Sequence, residues 1–216
     1  MKITILCTDA SHPVIPYLEE WKSKMNHAHD VEIIHTNDDI SDGDILFLVS
    51  CAQLINSEER KKYKATLVLH ASDLPKGRGW SPHIWSIING MSEITVCVLE
   101  ANDNIDSGLI WLKEKFHLQG HELLSEINKK LFQVELNLMS QVVERFDKIK
   151  AEPQIGVSDE HMRRRTHEDS RLDPNKTIAE QFDLLRVVDS NRFPAFMDFR
   201  GKRYILKIEK INDDLV

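Results

Sequence analysis

The chain has 216 residues, with 28 Lys and Arg against 35 Asp and Glu, so its formal net charge is −7. At 41% hydrophobic and 29% charged residues it can form a packed core and is not a disordered polyelectrolyte. An acidic chain does not attract polyanions as a whole, which argues against general nucleic-acid or anionic-membrane binding. Its apolar runs fall far short of the roughly 20 residues a bilayer span needs. The N-terminal Met1–Cys7 is too short for a signal sequence and runs straight into Thr8-Asp9. Cys7, Cys51 and Cys97 sit in apolar stretches without CxxC spacing, as expected of buried thiols in a cytoplasmic protein.

Ile3–Cys7 is a β-branched run. Ser11-His12-Pro13 then offers a helix start, with Val14, Tyr17, Leu18 and Trp21 at helical spacing. Four more short apolar runs follow: Val31–Ile34, Ile45–Val49, Thr66–Leu69 and Thr95–Leu99. Runs apolar on both faces, separated by helical patterns, predict an α/β protein with a buried, mostly parallel sheet. Gly108–Lys115 is a sixth strand candidate. After Gly120, Leu124, Ile127, Leu131, Val134, Leu138, Val142, Phe146 and Ile149 predict a helix of about seven turns. Lys150–Asp159, with Pro153 and Gly156, reads as a loop. Asp173-Pro174 predicts a short helix to about Val188, and Ala195–Phe199 with Arg203–Ile208 predicts a closing hairpin. The expected organisation is a core over 1–150 and an extension over 151–216.

Chemistry concentrates in His70-Ala71-Ser72-Asp73-Leu74-Pro75-Lys76-Gly77-Arg78-Gly79-Trp80-Ser81-Pro82. His70 ends a predicted strand, where open α/β sheets place their ligands. A Gly-rich turn follows it, and a helix opens at Pro82. Gly77-Arg78-Gly79 lacks the Lys-Ser/Thr of a P-loop, which argues against nucleotide hydrolysis. Asp106-Ser107-Gly108 lies in a loop between two strands. Arg163-Arg164-Arg165-Thr166-His167-Glu168-Asp169-Ser170-Arg171 is a basic cluster on an acidic chain. Its plain reading is a solvated run; its functional reading is a diphosphate site, which guanidinium forks suit. Trp80 and Trp85 suit a core better than a stacking platform. His27-Ala28-His29-Asp30 reads as a solvated loop, and His117 and His121 do not share one helical face, so no metal site is expected.

His70 with Ser72-Asp73-Leu74-Pro75 and Gly77-Arg78-Gly79, followed by Asp106-Ser107-Gly108, resembles the formyltransferases that use 10-formyltetrahydrofolate. The resemblance is closest over roughly residues 45 to 125. The R-x-T-x-E-D-S stretch and Ala195-Phe196 look like the branch acting on nucleotide-linked amino sugars, including enzymes of a pseudaminic-acid type pathway. The resemblance implies a Rossmann-like core that formylates a nucleotide-linked, UDP-type deoxyamino sugar for surface glycans, without a metal. His70 would be general base and Asp106 its orienting carboxylate. The folate would enter between Ser50, Cys51 and Leu54 on one side and Glu100, Asn102, Asp103 and Ile105 on the other. The acceptor would meet Ser72, Lys76, Gly77, Arg78, Trp80, Arg163, Arg164 and Arg165. A second copy in a homodimer is left open as a partner.

One position departs from the family pattern. The usual Asn-x-His would place Asn at position 68, and this chain has Val68-Leu69-His70. The Asn donates to the developing oxyanion, a role typically worth about 2.7–4 kcal/mol. Ser72, Asn89, a backbone N–H or the His70 imidazolium would have to replace it, or the protein is a weak enzyme or a non-catalytic binding homologue. A methionyl-tRNA formyltransferase usually adds a basic C-terminal domain, which an acidic chain ending Asn212–Val216 does not suggest. A glycinamide ribonucleotide formyltransferase does not share the Thr166–Arg171 stretch or the hairpin.

Overall fold

The computed structural model describes residues 1–211. Its centre is a six-stranded sheet of β1 (Lys2–Leu6), β2 (Asp30–Ile34), β3 (Gly43–Leu48), β4 (Tyr63–His70), β5 (Glu93–Glu100) and β6 (Ile110–His117), in the order β2-β1-β3-β4-β5-β6. β2, β1, β3 and β4 pair in parallel, while β5 and β6 pair antiparallel. The sheet is thus parallel over its larger half, and the chain reverses where β4 meets β5. Because β2 and β3 flank β1, the connections diverge beside the carboxyl end of β1, the position where open α/β sheets form a crevice.

The strands alternate as a sheet covered on both sides requires. Ile3, Ile5, Ile45, Phe47, Leu67 and Leu69 face one way, into the main core. Leu6, Leu46, Leu48 and Tyr63 face the other way, into a smaller cluster with Ile34, Ile40 and Ile55. α1 (Ile15–Met25) and α4 (Leu124–Glu144) cover the first face through Leu18, Trp21, Ile127, Leu131, Phe132, Leu138, Met139 and Val142. α1 starts later than the Ser11-His12-Pro13 signal predicts. The Asp9 carboxylate accepts from the Ser11 N–H at 2.9 Å and His12 Nδ1 accepts from the Val14 N–H at 3.2 Å, so 9–14 stays in turns. α4 ends at Glu144, before the predicted end. Phe146 and Ile149 still pack against the core from a final turn.

The tail departs further from its sequence pattern. No helix begins at Asp173-Pro174. The Gln181 amide donates to the carbonyls of Asp173, Lys176 and Thr177, and its oxygen accepts from the Asp173 N–H at 2.6 Å. That side chain supplies the backbone bonds a helix would have made, so only the short α5 (Phe182–Arg186) forms. β7 (Ala195–Phe199) and β8 (Lys202–Leu206) make the hairpin, whose second strand starts one residue before the predicted one. Leu172, Leu185, Val188 and Ala195 form the tail's own cluster. The tail joins the core where Val187 enters the main cluster and Arg186 donates to the Glu122 carbonyl. α2 (Ser57–Arg60) and α3 (Pro82–Ile88) complete the elements, α3 opening at Pro82 as expected.

α4 also turns a carboxyl group inward. Glu135 is 6% exposed, and its Oε2 is buried without a hydrogen-bond partner. Burial raises its pKa to about 8, so it is neutral in the folded protein at pH 7. The unfolded chain ionises it near 4.5, so its favourable contribution is complete below that pH and is lost as pH rises through about 8. Glu135→Gln is therefore expected to raise Tm at pH 8–9, by on the order of a few kcal/mol of stability, with little change at pH 4. Thermal melts across that range check it, and an equal Tm difference at both ends would contradict it.

Candidate active site

His70 is the last residue of β4 and is 6% exposed. Its Nε2 lies 2.9 Å from the Gly77 carbonyl and donates to it, so in the neutral ring the lone pair is on Nδ1. Nδ1 faces Asp106 Oδ1 at 3.6 Å. The other carboxylate oxygen of Asp106 accepts from the Gly79 N–H at 2.8 Å. One carboxylate therefore registers both the imidazole and the turn that follows it.

The route of the chain explains how Asp106 gets there. β5 runs down alongside β4 and leaves the sheet level with Thr66, where the Ala101 N–H donates to the Thr66 carbonyl at 2.8 Å. The 101–109 loop then folds back over the face carrying Val68 and His70. Gly108 permits this return, since a Cβ there would stand 1.8 Å from the Glu100 carbonyl oxygen. Asp106 itself adopts a left-handed φ of 51°, unusual for a residue with a Cβ. In the Gly-rich turn, Gly79 has φ 100°, and a Cβ would lie 2.4 Å from the Met162 carbonyl oxygen. The Met162 carbonyl accepts from the Trp80 N–H at 2.9 Å, and its N–H donates to the Arg78 carbonyl at 2.7 Å.

Residues 152–162, expected only to be a loop, form a strap across this turn. The Asp159 carboxylate accepts from the Gly77 N–H at 2.7 Å. Glu152 exchanges backbone bonds with Ile110 at 2.7 and 2.9 Å. The Gln154 side chain reaches Arg78, Asp106 and Gly108. None of these strap residues carries a local motif. His83, also unflagged in the sequence, is half-buried in the first turn of α3, with its Nδ1 buried and unpartnered. Burial of the ring, reinforced by the positive charge of Arg165, lowers its pKa to about 4, so it is neutral.

The expected folate-side residues line two facing loops. Leu54 and Ile105 are exposed at 77% and 50%; Ser50, Asn102 and Asp103 are exposed as well. Cys51 is half-buried rather than buried, packing with Val68 and Ala101 against the cluster that holds Leu48 and Ile55. The crevice floor at Val68 is thus apolar. Glu100 turns away, accepting from the Trp111 indole at 3.0 Å. Arg60, absent from the expected set, joins the two loops by donating to the Ile55 carbonyl and the Asp103 carboxylate, both at 2.5 Å.

The acceptor-side residues divide. Lys76 is exposed and Arg78 half-buried. Ser72 is buried beneath Gly77 with its hydroxyl unpartnered. Asn89 is exposed at the far end of α3, which removes it as a replacement for the missing donor at position 68. Trp80 and Trp85 are not core residues: Trp80 is 40% exposed with the Arg164 guanidinium 4.9 Å over its ring, and Arg163 lies 4.9 Å over Trp85. The three arginines have different surroundings. Arg163 is paired with the Asp169 carboxylate, whose pKa is held well below the carboxylate range. Arg165 is partly buried with Nε unpartnered, and burial lowers its pKa. Arg164 is exposed and makes no ion pair among the described residues.

Burial raises the Cys7 and Cys97 thiols to about 11, which keeps them protonated. No group of three or more His, Cys, Asp or Glu able to hold a metal occurs among the described residues. No helix among them is long and apolar enough to cross a membrane. A cleft of about 460 Å³ lined by Pro13, Tyr17, Phe132, Leu185 and Asn191 contains neither His70 nor Asp106.

Comparison with known proteins places the fold and the family. A methionyl-tRNA formyltransferase of Prochlorococcus marinus is 26% identical over 201 residues, covering 78% of this chain and 59% of the relative. The chain thus spans little more than half the length of that curated protein. Among solved structures, a methionyl-tRNA formyltransferase from Clostridium thermocellum superposes with a TM-score of 0.83 at 21% identity, covering 99% of this chain and 94% of that one. HypX from Aquifex aeolicus in complex with tetrahydrofolic acid gives 0.78 at 20% identity, over 96% of this chain and 37% of that one. A sugar N-formyltransferase from Shewanella gives 0.73 at 15% identity, over 98% and 99%. The profile of the formyl transferase family matches residues 4–143, a span holding most of β1, all of β2 to β6, His70 and Asp106, and the chain belongs to that family.

Proposed function

We propose that this protein transfers a formyl group from 10-formyltetrahydrofolate to the amine of a nucleotide-linked, UDP-type amino sugar. The observation that carries the reading is that Asp106, which faces His70, also accepts from the Gly79 N–H, and the next residue, Trp80, carries the exposed Arg164 guanidinium, which no carboxylate among the described residues neutralises. The tetrahydrofolate-bound structure on the same fold supports the donor, and the sugar N-formyltransferase among the structural neighbours supports the acceptor. The folate enters over the apolar floor at Val68, between the loops that Arg60 ties together.

The neutral acceptor amine attacks the formyl carbon, and the carbonyl π pair moves to oxygen. His70 Nδ1 takes the proton from the attacking nitrogen, and the Asp106 carboxylate stabilises the imidazolium so formed. Collapse of the tetrahedral intermediate breaks the bond to folate N10, which leaves with the proton returned by His70. Val68 donates nothing to the oxyanion, so that role falls to a backbone N–H or to the protonated His70 ring.

His70→Ala and Asp106→Asn are each expected to lower kcat about a hundredfold with a modest change in Tm. Near-normal turnover in either variant removes this mechanism. Val68→Asn is expected to gain less than tenfold in rate, since about 1.4 kcal/mol of barrier corresponds to that factor. A larger gain means the donor was never replaced.

The acceptor class is tested with the arginines and with salt. Arg164→Ala is expected to raise KM for the sugar nucleotide about tenfold, near the lower end of the ~1.5–3 kcal/mol of a charged hydrogen bond, and to leave folate affinity unchanged. Arg163→Ala should chiefly lower Tm, because its guanidinium already holds Asp169. A nucleotide sugar presents one diphosphate, so binding should depend weakly on salt. A steep dependence, with a power near the number of phosphate contacts, would instead favour a tRNA acceptor, the substrate named for the curated relatives.

A further inference from the structure

Gln154 joins the two halves of the site through one amide. Its nitrogen donates to the Asp106 carbonyl at 2.8 Å and the Gly108 carbonyl at 3.0 Å, and its oxygen accepts from the Arg78 guanidinium at 2.7 Å. Both amide hydrogens are used, and a flipped amide would set oxygen against two carbonyls and NH₂ against a guanidinium, so the contacts fix its orientation. The residue it holds is one that does not hold itself. Asp106 has φ 51°, a left-handed conformation that a residue with a Cβ adopts at a cost and holds where its surroundings support it. The direction of its carboxylate, toward His70 Nδ1 and the Gly79 N–H, follows from that backbone.

We infer that Gln154 is the positioning residue of this site: it locks the backbone of Asp106 so that the carboxylate meets His70, and it sets Arg78 in register with the same loop. The inference rests on the formyl-transfer reading for its kinetic consequences and on geometry alone for its structural ones. Gln154 touches neither reacting atom. Its contribution is orientation, and a displacement of about 1 Å at a catalytic group can cost on the order of a hundredfold in rate.

Two variants and one spectroscopic reporter test it. Gln154→Glu keeps an acceptor for Arg78 but sets oxygens against both carbonyls, while Gln154→Ala removes all three bonds. The reporter is the Gly79 amide proton, held by the Asp106 carboxylate and resolvable by ¹⁵N-glycine labelling. In both variants this resonance is expected to move toward its free position and kcat to fall by about tenfold to a hundredfold. KM for the acceptor should stay near the wild-type value in Gln154→Glu and rise in Gln154→Ala. An unmoved Gly79 resonance in either variant overturns the inference, whatever happens to Tm, and so does wild-type kcat in Gln154→Glu. If the wild-type protein formylates no acceptor, the proposed function fails, and the Gly79 resonance alone decides whether Gln154 positions Asp106.

Discussion

The Asp106 carboxylate is the point at which three separated stretches of chain agree. One oxygen faces the imidazole at the end of β4, and the other caps the Gly79 N–H of the following turn. The carboxylate's own backbone is left-handed and is secured by a side chain from the strap after α4. Any shift of the turn, the loop or the strap would pull this group away from His70. Several otherwise unrelated features serve the same arrangement. Gly79 makes room for the Met162 carbonyl, Gly108 makes room for the Glu100 carbonyl, and Asp159 anchors the Gly77 N–H.

The sheet supplies the rigid part of this design. β4 lies between β3 and β5, paired on both sides as far as Val68, and His70 itself is set by its pairing with Cys97 of β5. The loops around it are held by charged or amide side chains rather than by apolar packing: Arg60 for the loops at Ile55 and Asp103, Gln154 for the loop of Asp106, and Asp169 with Arg163 for the arginine run. Polar clamps of this kind need specific geometry, and they leave apolar residues such as Leu54 and Ile105 exposed at the mouth of the crevice. A pterin or aryl ring of the folate is the kind of group that such residues accommodate.

The arginine run shows how tertiary surroundings divide three adjacent residues of one type. Arg163 is spent on Asp169 and Trp85, Arg165 is drawn inward, and Arg164 alone of the three keeps an exposed guanidinium with no ion pair among the described residues, on Trp80. A charge count along the sequence treats the three alike. Only their surroundings distinguish a structural cation from one available to a ligand anion.

Much of this was legible in the residues themselves. The five apolar runs became β1 to β5 because a strand buried on both faces needs an apolar residue at nearly every position. His70, the Gly-Arg-Gly turn and Asp106 stood out because a strand end, φ-permissive glycines and a D-x-G leave local marks. The sequence by itself therefore determined the α/β class, the long amphipathic α4 and the pair of residues, His70 and Asp106, that the structure brings face to face. Tertiary structure decided the rest. The antiparallel sense of β5 and β6 depends on where the chain returns, which no period encodes. The helix expected after Asp173 gave way to the bonds of Gln181, eight residues on. Gln154 and Asp159 reach partners 46 to 82 residues away, and Arg60 reaches Asp103 43 residues on. A hydrogen bond across such a separation leaves no pattern in neighbouring residues, because its two ends meet only after the sheet has brought them together.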